Sequence, residues 1–371
     1  MYHRICFVCP GAYACFDREM GLGDVGGAER QVYLLSTALS DQFDVHVVVG
    51  DYGQAEVEFS EGVTIHRAYP LQSRRNVLQP VRHLLLLARV MRRADADIYV
   101  HRGEPRNAAF VYLVARILGR KWVYNLANDA NIIRRPNRLA APIRRLYTHA
   151  LKNAEQVISQ TERQQELLRE VYGVESVVVP NGYPRSSESC SYEDREYLLW
   201  VGHLDGEQKR PHLLLDIADR LSEVEFRVVG PLEPSDPYHR LLISRTTDLS
   251  NVELVGAIHP DEIHDHYRRA IALVSTSAYE GFPNIFLEAW RQGTPVLSLD
   301  VDPKRFLDLE PLDGGYSEGS LETLVEQCQM LVETPAIWRE LAEASRERFE
   351  AELRIEKTSA AYGEVLANLL D

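Results

Sequence analysis

Two carboxylates, Glu280 and Glu288, close a stretch rich in groups that could do chemistry: Ser275-Thr-Ser-Ala-Tyr-Glu-Gly-Phe-Pro-Asn-Ile-Phe-Leu-Glu288. Gly281 and Pro283 shape a tight turn, and a helix is expected to start near Asn284. The turn amides then point outward as anion donors. Glu288 lies about one turn into that helix, so its carboxylate can face the same mouth. Two carboxylates so placed suit hydroxyl recognition, because each accepts two hydrogen bonds from a diol. A second loop, Val201-Gly-His-Leu-Asp-Gly-Glu-Gln-Lys-Arg-Pro211, puts Lys209 at a helix start with Pro211 in the first turn. A cation there opposes the helix dipole unless an anion sits between them. In a third loop, Gly21 to Glu29, Gly26 and Gly27 open a helix whose free amides favour a phosphate. Its spacing is not GxGxxG, which counts against a nicotinamide cofactor.

These loops need strands to hold them. Short β-branched runs alternate with helical stretches. In the first half, strands are expected at 5–8, 45–49, 63–66, 98–101, 122–126, 156–159 and 176–179. Helices are expected near 28–39, 80–93, 106–118, 141–152 and 162–171. The segment Pro180-Asn-Gly-Tyr-Pro184 and the polar stretch 186–195 interrupt the pattern as a linker. The cycle then restarts, with strands at 197–201, 225–229, 252–255, 272–275 and 295–298. Its helices fall near 211–221, 238–246, 260–268 and 284–292, and a helical tail runs from Ser320. The pattern predicts an α/β protein of two Rossmann-like, doubly wound domains with parallel sheets, facing across a cleft that gathers the carboxyl ends of the strands.

The chain has 371 residues, 45% of them apolar, enough for two cores. No segment approaches the roughly 20 apolar residues of a membrane span, and the start reads as a buried strand, not a signal peptide. The five cysteines are scattered; Cys6 and Cys9 have CxxC spacing but no second pair, and they read as buried thiols in a reducing cytosol. The net charge is −14, with only five lysines, a composition suited to high salt, so a halophilic source is the expectation. From Ser60 to Glu155, eighteen basic residues face six acidic ones, leaving −26 for the remainder. Arg74, Arg75, Arg82, Arg89, Arg92 and Arg93, then Arg134, Arg135, Arg138, Arg144 and Arg145, make this block. It points to an anionic partner, an anionic lipid surface or a lipid-phosphate-linked acceptor. No basic-aromatic interleaving suggests nucleic acid.

Glu-Gly-Phe-Pro-Asn-Ile-Phe-Leu-Glu at 280–288 resembles the E-x7-E signature of the GT4 family of retaining glycosyltransferases. Gly26-Gly-Ala-Glu-Arg30, Val179-Pro-Asn-Gly182, Val201-Gly202 through Lys209, and Gly293-Thr-Pro-Val-Leu297 resemble other family motifs in order and spacing. The resemblance covers nearly the whole chain and is stronger in the second half. It implies a GT-B fold with domains at 1–183 and 184–354, and a helix at 355–371 crossing back to the first domain. It implies transfer of a hexose-type sugar from a UDP- or GDP-sugar to a glycan, glycolipid or lipid-phosphate-linked acceptor. Retention by same-face attack is expected, with no divalent metal and no cofactor.

The same resemblance implies the roles. Lys209 binds the diphosphate, and Glu280 lies beside the reacting carbon. Gly281, Phe282, Pro283, Asn284 and Ile285 line sugar and phosphate, with Gly281, Phe282 and Asn284 offering amides. Glu288 holds the ribose hydroxyls, and Gly26 and Gly27 close over the phosphates. Two positions depart from the family. His203 stands where arginine is usual, and a histidine is charged only in part near neutrality; Arg210 is the nearby replacement. Ala127 falls where a histidine is frequent, followed by Asn128 and Asp129. A subset of the family resembles this, pairing such a loop with a stretch like Asp97-Ile-Tyr-Val-His-Arg-Gly103; Asp129 is therefore the third catalytic candidate. A non-catalytic sugar-nucleotide-binding subunit and a GT-B sugar-nucleotide epimerase remain as alternatives, separable by donor turnover and product analysis. Asp300-Val-Asp302 has DxD spacing but reads as a loop pair. The expected location is the cytoplasm, with attachment to the inner face of the membrane an option.

Overall fold

A computed structural model describes residues 2–17, 26–70, 79–186, 190–259, 262–306 and 315–370. The chain divides into two compact units, Met1–Gly182 with Ile355–Asp371, and Tyr183–Arg354.

The first unit is built on strands β1 (Arg4–Val8), β2 (Asp44–Val49), β3 (Val57–Ser60), β4 (Val63–Arg67), β5 (Ile98–Arg102), β6 (Lys121–Asn125), β7 (Gln156–Ser159) and β8 (Val177–Val178). Its helices are α1 (Tyr13–Phe16), α2 (Gly27–Leu39), α3 (Gln79–Ala94), α4 (Pro105–Ile117), α5 (Ala130–Ile133), α6 (Ala141–Lys152) and α7 (Glu162–Tyr172), joined by the C-terminal helix Ile355–Asn368. The sheet order is β3-β4-β2-β1-β5-β6-β7-β8. Its strands are apolar runs because both faces are covered. One face packs Ile5, Phe7, Val47 and Val49 under Val32, Leu35 and Leu39 of α2 and Tyr362 and Leu366 of the C-terminal helix. The other packs Cys6, Val8, Tyr99 and Tyr124 under α3, α4 and α6. β1 pairs with β2 on one side and β5 on the other, so the winding reverses there. That reversal opens a crevice at the carboxyl ends of β1 and β5.

One strand departs from the all-parallel expectation. β3 pairs antiparallel with β4 at the sheet edge, with Val57 and Phe59 exposed. Helix boundaries follow local chemistry. Pro105 starts α4, Thr161 caps α7 by accepting from the Gln164 amide, and Gly173 ends α7 at a φ of 64°.

The second unit holds β9 (Tyr197–Val201), β10 (Phe226–Val229), β11 (Val252–Gly256), β12 (Ala270–Ser275) and β13 (Val296–Ser298), ordered β11-β10-β9-β12-β13 and all parallel. Its helices are α8 (Pro211–Arg220), α9 (Pro237–Thr247), α10 (Ile263–Arg269), α11 (Asn284–Trp290), α12 (Leu321–Glu333) and α13 (Pro335–Glu352). Leu198, Trp200, Phe226, Ala272 and Val274 meet α8, α12 and α13 in its core. Cys6, Cys9 and Cys328 are buried thiols, whereas Cys15 and Cys190 are only half-buried. Among the described residues, no helix is long and apolar enough to cross a membrane.

Candidate active site

In the second unit, two loops far apart in sequence meet. β9 and β12 are neighbours in the sheet, so the segments leaving their carboxyl ends lie side by side. Ala278 donates its amide to the Gln208 carbonyl at 2.8 Å. The buried Thr276 hydroxyl donates to the carbonyls of Lys209 (2.7 Å) and Arg210 (3.0 Å) and accepts from the Trp200 indole at 3.0 Å. Asp205 ties its own loop by accepting from the Glu207 and Gln208 amides. A Cβ on Gly230 would lie 2.0 Å from the Gly202 carbonyl, so only glycine lets the end of β10 pass this loop.

This framework sets Lys209 against Glu280, Nζ to Oε1 at 2.5 Å, with both side chains largely buried. Gln208 Nε2 donates to the Tyr279 carbonyl at 3.2 Å and approaches the other Glu280 oxygen at 3.5 Å. The anion that faces Lys209 is therefore the Glu280 carboxylate. Arg210, next along, adopts a left-handed φ of 51° at the start of α8. Its Nε donates to the Thr276 carbonyl at 2.8 Å, and its guanidinium pairs with Asp300. Asp302 caps the following turn through the Lys304 amide, so the two acids of the DxD spacing serve different loops. His203 is exposed. Gly281, Phe282 and Pro283 are buried in the turn before α11, whose first residues are Asn284 and Ile285.

Glu288 sits within α11, half-buried. Two tyrosines the sequence gave no reason to single out hold it: Tyr183 Oη donates to Oε1 at 2.5 Å and Tyr267 Oη to Oε2 at 2.7 Å. Burial, then the Glu288 charge, pushes the Tyr267 phenol well up, so it stays a donor.

In the first unit, Gly26 caps α2 and Gly27 begins it. The Glu29 carboxylate folds back over this helix start; a Cβ on Gly26 would meet its Oε2 at 2.7 Å. Asp129 precedes α5 and is held from α7: Oδ2 accepts from Arg163 Nε at 3.2 Å and Oδ1 from Gln164 Nε2 at 3.1 Å. The sequence offered no cue to this restraint. Arg102, the arginine of the 97–103 stretch, lies in the crevice at the end of β5. This fully buried guanidinium donates to Asn125 Oδ1 and Asn181 Oδ1, each at 2.8 Å, and its Nε has no partner. Burial lowers its basicity, and Tyr362, Cys9 and Glu29 oppose that shift. Gln31 donates to the Gly182 carbonyl and Thr358 to that of Pro180, fastening the same junction.

The basic block is partly paired. Arg93 binds Glu56 at 2.6 Å and Arg135 lies 3.6 Å from Glu104. Arg82, Arg89, Arg92, Arg134 and Arg138 are exposed, and Arg74 and Arg75 lie outside the described residues, as does 21–25 of the glycine loop.

Two α/β units, each built on a largely parallel sheet with covering helices, are the architecture of the GT-B class. Sequence profiles agree: the profile described as Glycosyltransferase Family 4 matches residues 25–186, and that of Glycosyl transferases group 1 matches 195–333. Between them they take in most of the chain, which belongs to the family 4, group 1 glycosyltransferases. The lipopolysaccharide core biosynthesis glycosyltransferase LpsE of Rhizobium meliloti (strain 1021) is 26% identical over 166 residues, 44% of this chain and 47% of LpsE. The match thus spans about half of that relative. Among solved structures, a sucrose-phosphate synthase from Thermosynechococcus elongatus superposes with a TM-score of 0.80 at 17% identity, covering 99% of each chain. Anabaena HepE in complex with UDP and glucose gives 0.76 at 17%, covering 99% of this chain and 100% of HepE. At such identities these likenesses establish the fold, which is GT-B.

Proposed function

We propose that the protein transfers a hexose, with retention of configuration and without a metal ion, from a nucleoside-diphosphate sugar to a glycan or lipid-linked acceptor. The meeting of Lys209 and Glu280 carries this reading. A cation already held at the loop mouth can release its carboxylate partner to a diphosphate, and Glu280 is then free to contact the donor sugar. Fixed positive charge at that point stabilises the leaving nucleoside diphosphate as the glycosidic bond breaks. Arg210 takes the place that His203 leaves short of charge. The UDP and glucose bound by HepE support a UDP-linked donor.

The acceptor reading rests on α3. Its outer face presents Val81 and Leu85, 57% and 66% exposed, beside exposed Arg82, Arg89 and Arg92. Apolar and cationic groups so mixed suit an anionic lipid surface.

A panel of UDP- and GDP-sugars tests the donor. The matching donor raises the melting temperature by mass action, and product NMR in the presence of EDTA shows an unchanged anomeric configuration. Inversion of the anomer, or loss of turnover with EDTA, overturns the corresponding part of the proposal. Flotation with anionic and neutral vesicles tests the surface; equal binding to both removes it.

A further inference from the structure

We propose that Tyr183 and Tyr267 are positioning residues that fix the Glu288 carboxylate to accept a vicinal diol, making the site selective for ribonucleotides over 2′-deoxyribonucleotides. The inference rests on the donor-site reading above, in which Glu288 meets the ribose.

An ionised carboxylate offers about four lone-pair positions. Tyr183 takes one on Oε1 and Tyr267 one on Oε2. One donor per oxygen stops the carboxylate from rotating and leaves one acceptor position on each. Two hydroxyls on adjacent carbons fill that remainder; a single hydroxyl leaves one oxygen of a half-buried carboxylate half-used, and a lost partner there is costly.

The two phenols have no freedom to do otherwise. Tyr183 is 1% and Tyr267 0% exposed. Tyr183 donates its backbone amide to the Leu353 carbonyl at 3.0 Å, and its ring lies under the Arg291 guanidinium, 5.7 Å from the ring centre. Tyr267 belongs to α10, on a different element from Tyr183 and Glu288, so the carboxylate is gripped from two sides. Neither hydroxyl is needed to fill the core, since phenylalanine has the same ring.

Isothermal titration of the full chain with UDP, GDP and their 2′-deoxy counterparts tests this. The preferred nucleotide should bind wild type at least about tenfold more tightly than its deoxy form. In Tyr183→Phe/Tyr267→Phe, that ratio should fall to about threefold or less, through weaker ribonucleotide binding alone, while deoxy binding stays near wild type. Glu288→Gln should lose the ratio with both tyrosines intact. The single variants guard against misfolding of the double one, and each should lose part of the ratio. A full ratio retained in the tyrosine variants overturns the inference and leaves the donor site standing. No ratio in wild type removes the diol role of Glu288 and the inference with it. Deoxy and ribo binding lost in parallel marks the tyrosines as merely structural and also overturns it.

Discussion

Lys209 and Arg102 are both cations drawn in near the carboxyl end of a strand, yet they are neutralised differently. Lys209 faces a carboxylate at 2.5 Å in a loop pair that keeps some exposure. Arg102 is sealed in and donates to amide oxygens, those of Asn125 and Asn181, with Tyr362 beside it. A cation paired with a carboxylate can exchange its partner for a phosphate, one anion for another. One solvated by fixed dipoles from β6 and the 180–182 junction would lose both contacts by turning to a ligand. On the proposed reading the first arrangement serves chemistry and the second architecture, although composition does not distinguish them.

The sharpest break of this comparison is Lys209→Ala. Turnover should fall by about a hundredfold or more with the thermal midpoint nearly unchanged. Near-normal sugar transfer would mean that the lysine is as architectural as Arg102. Arg102→Met is the counterpart. It removes the charged donor to two buried amide oxygens and should cost about 3 kcal/mol in urea unfolding, with turnover per folded molecule within a few-fold of wild type. A collapse of turnover at intact stability would move Arg102 into the chemistry.

A third cluster extends the contrast to groups that bury no charge at all. His66 Nε2 meets His46 Nδ1 at 2.9 Å, and His46 Nε2 meets Asp44 at 3.2 Å. Burial holds both rings below the usual histidine value, His66 down to about 4. Between pH 6.5 and 4 the unfolded chain takes up protons that the folded one refuses. Stability is therefore lost as pH falls through that window, by up to about 3 kcal/mol for His66. His66→Asn should flatten the slope measured by denaturation at stepped pH; an unchanged slope assigns the acid sensitivity elsewhere. The smallest effect belongs to the exposed Arg135–Glu104 contact. Arg135→Ala should change stability by less than about 0.5 kcal/mol, and a larger loss would show that even surface arginines of the basic block are structural.

The strands were readable to within a residue or two because buried parallel strands are continuous apolar runs, whereas the helix expected from 260 starts at Ile263 and the short helices Tyr13–Phe16 and Ala130–Ile133 went unread. β3 escaped notice because an edge strand with Val57 and Phe59 exposed and Glu58 between them carries no such run. The loops with Lys209 and Glu280, the second leading into the helix of Glu288, were visible because their glycines and charges serve no helix or strand. Their partners were not. Tyr267 sits in a short, mostly polar helix that gives it no special mark, and Tyr183 follows the junction glycine without a periodic signal. Which side chains meet depends on sheet order, which puts β9 beside β12 across an intervening β10 and β11 in sequence. For the same reason Asp129 could be placed at a strand end but not tied to Arg163 and Gln164, thirty-odd residues onward.

The C-terminal helix has a consequence for synthesis. Tyr362 and Leu366 cover Val47, Val49 and their neighbours, and Thr358 fastens Pro180. The first unit therefore cannot finish its fold until residues beyond 355 have left the ribosome, after the whole second unit has emerged. During that interval a strip of valines and isoleucines on its sheet waits uncovered, and a stalled or truncated chain would expose it to aggregation.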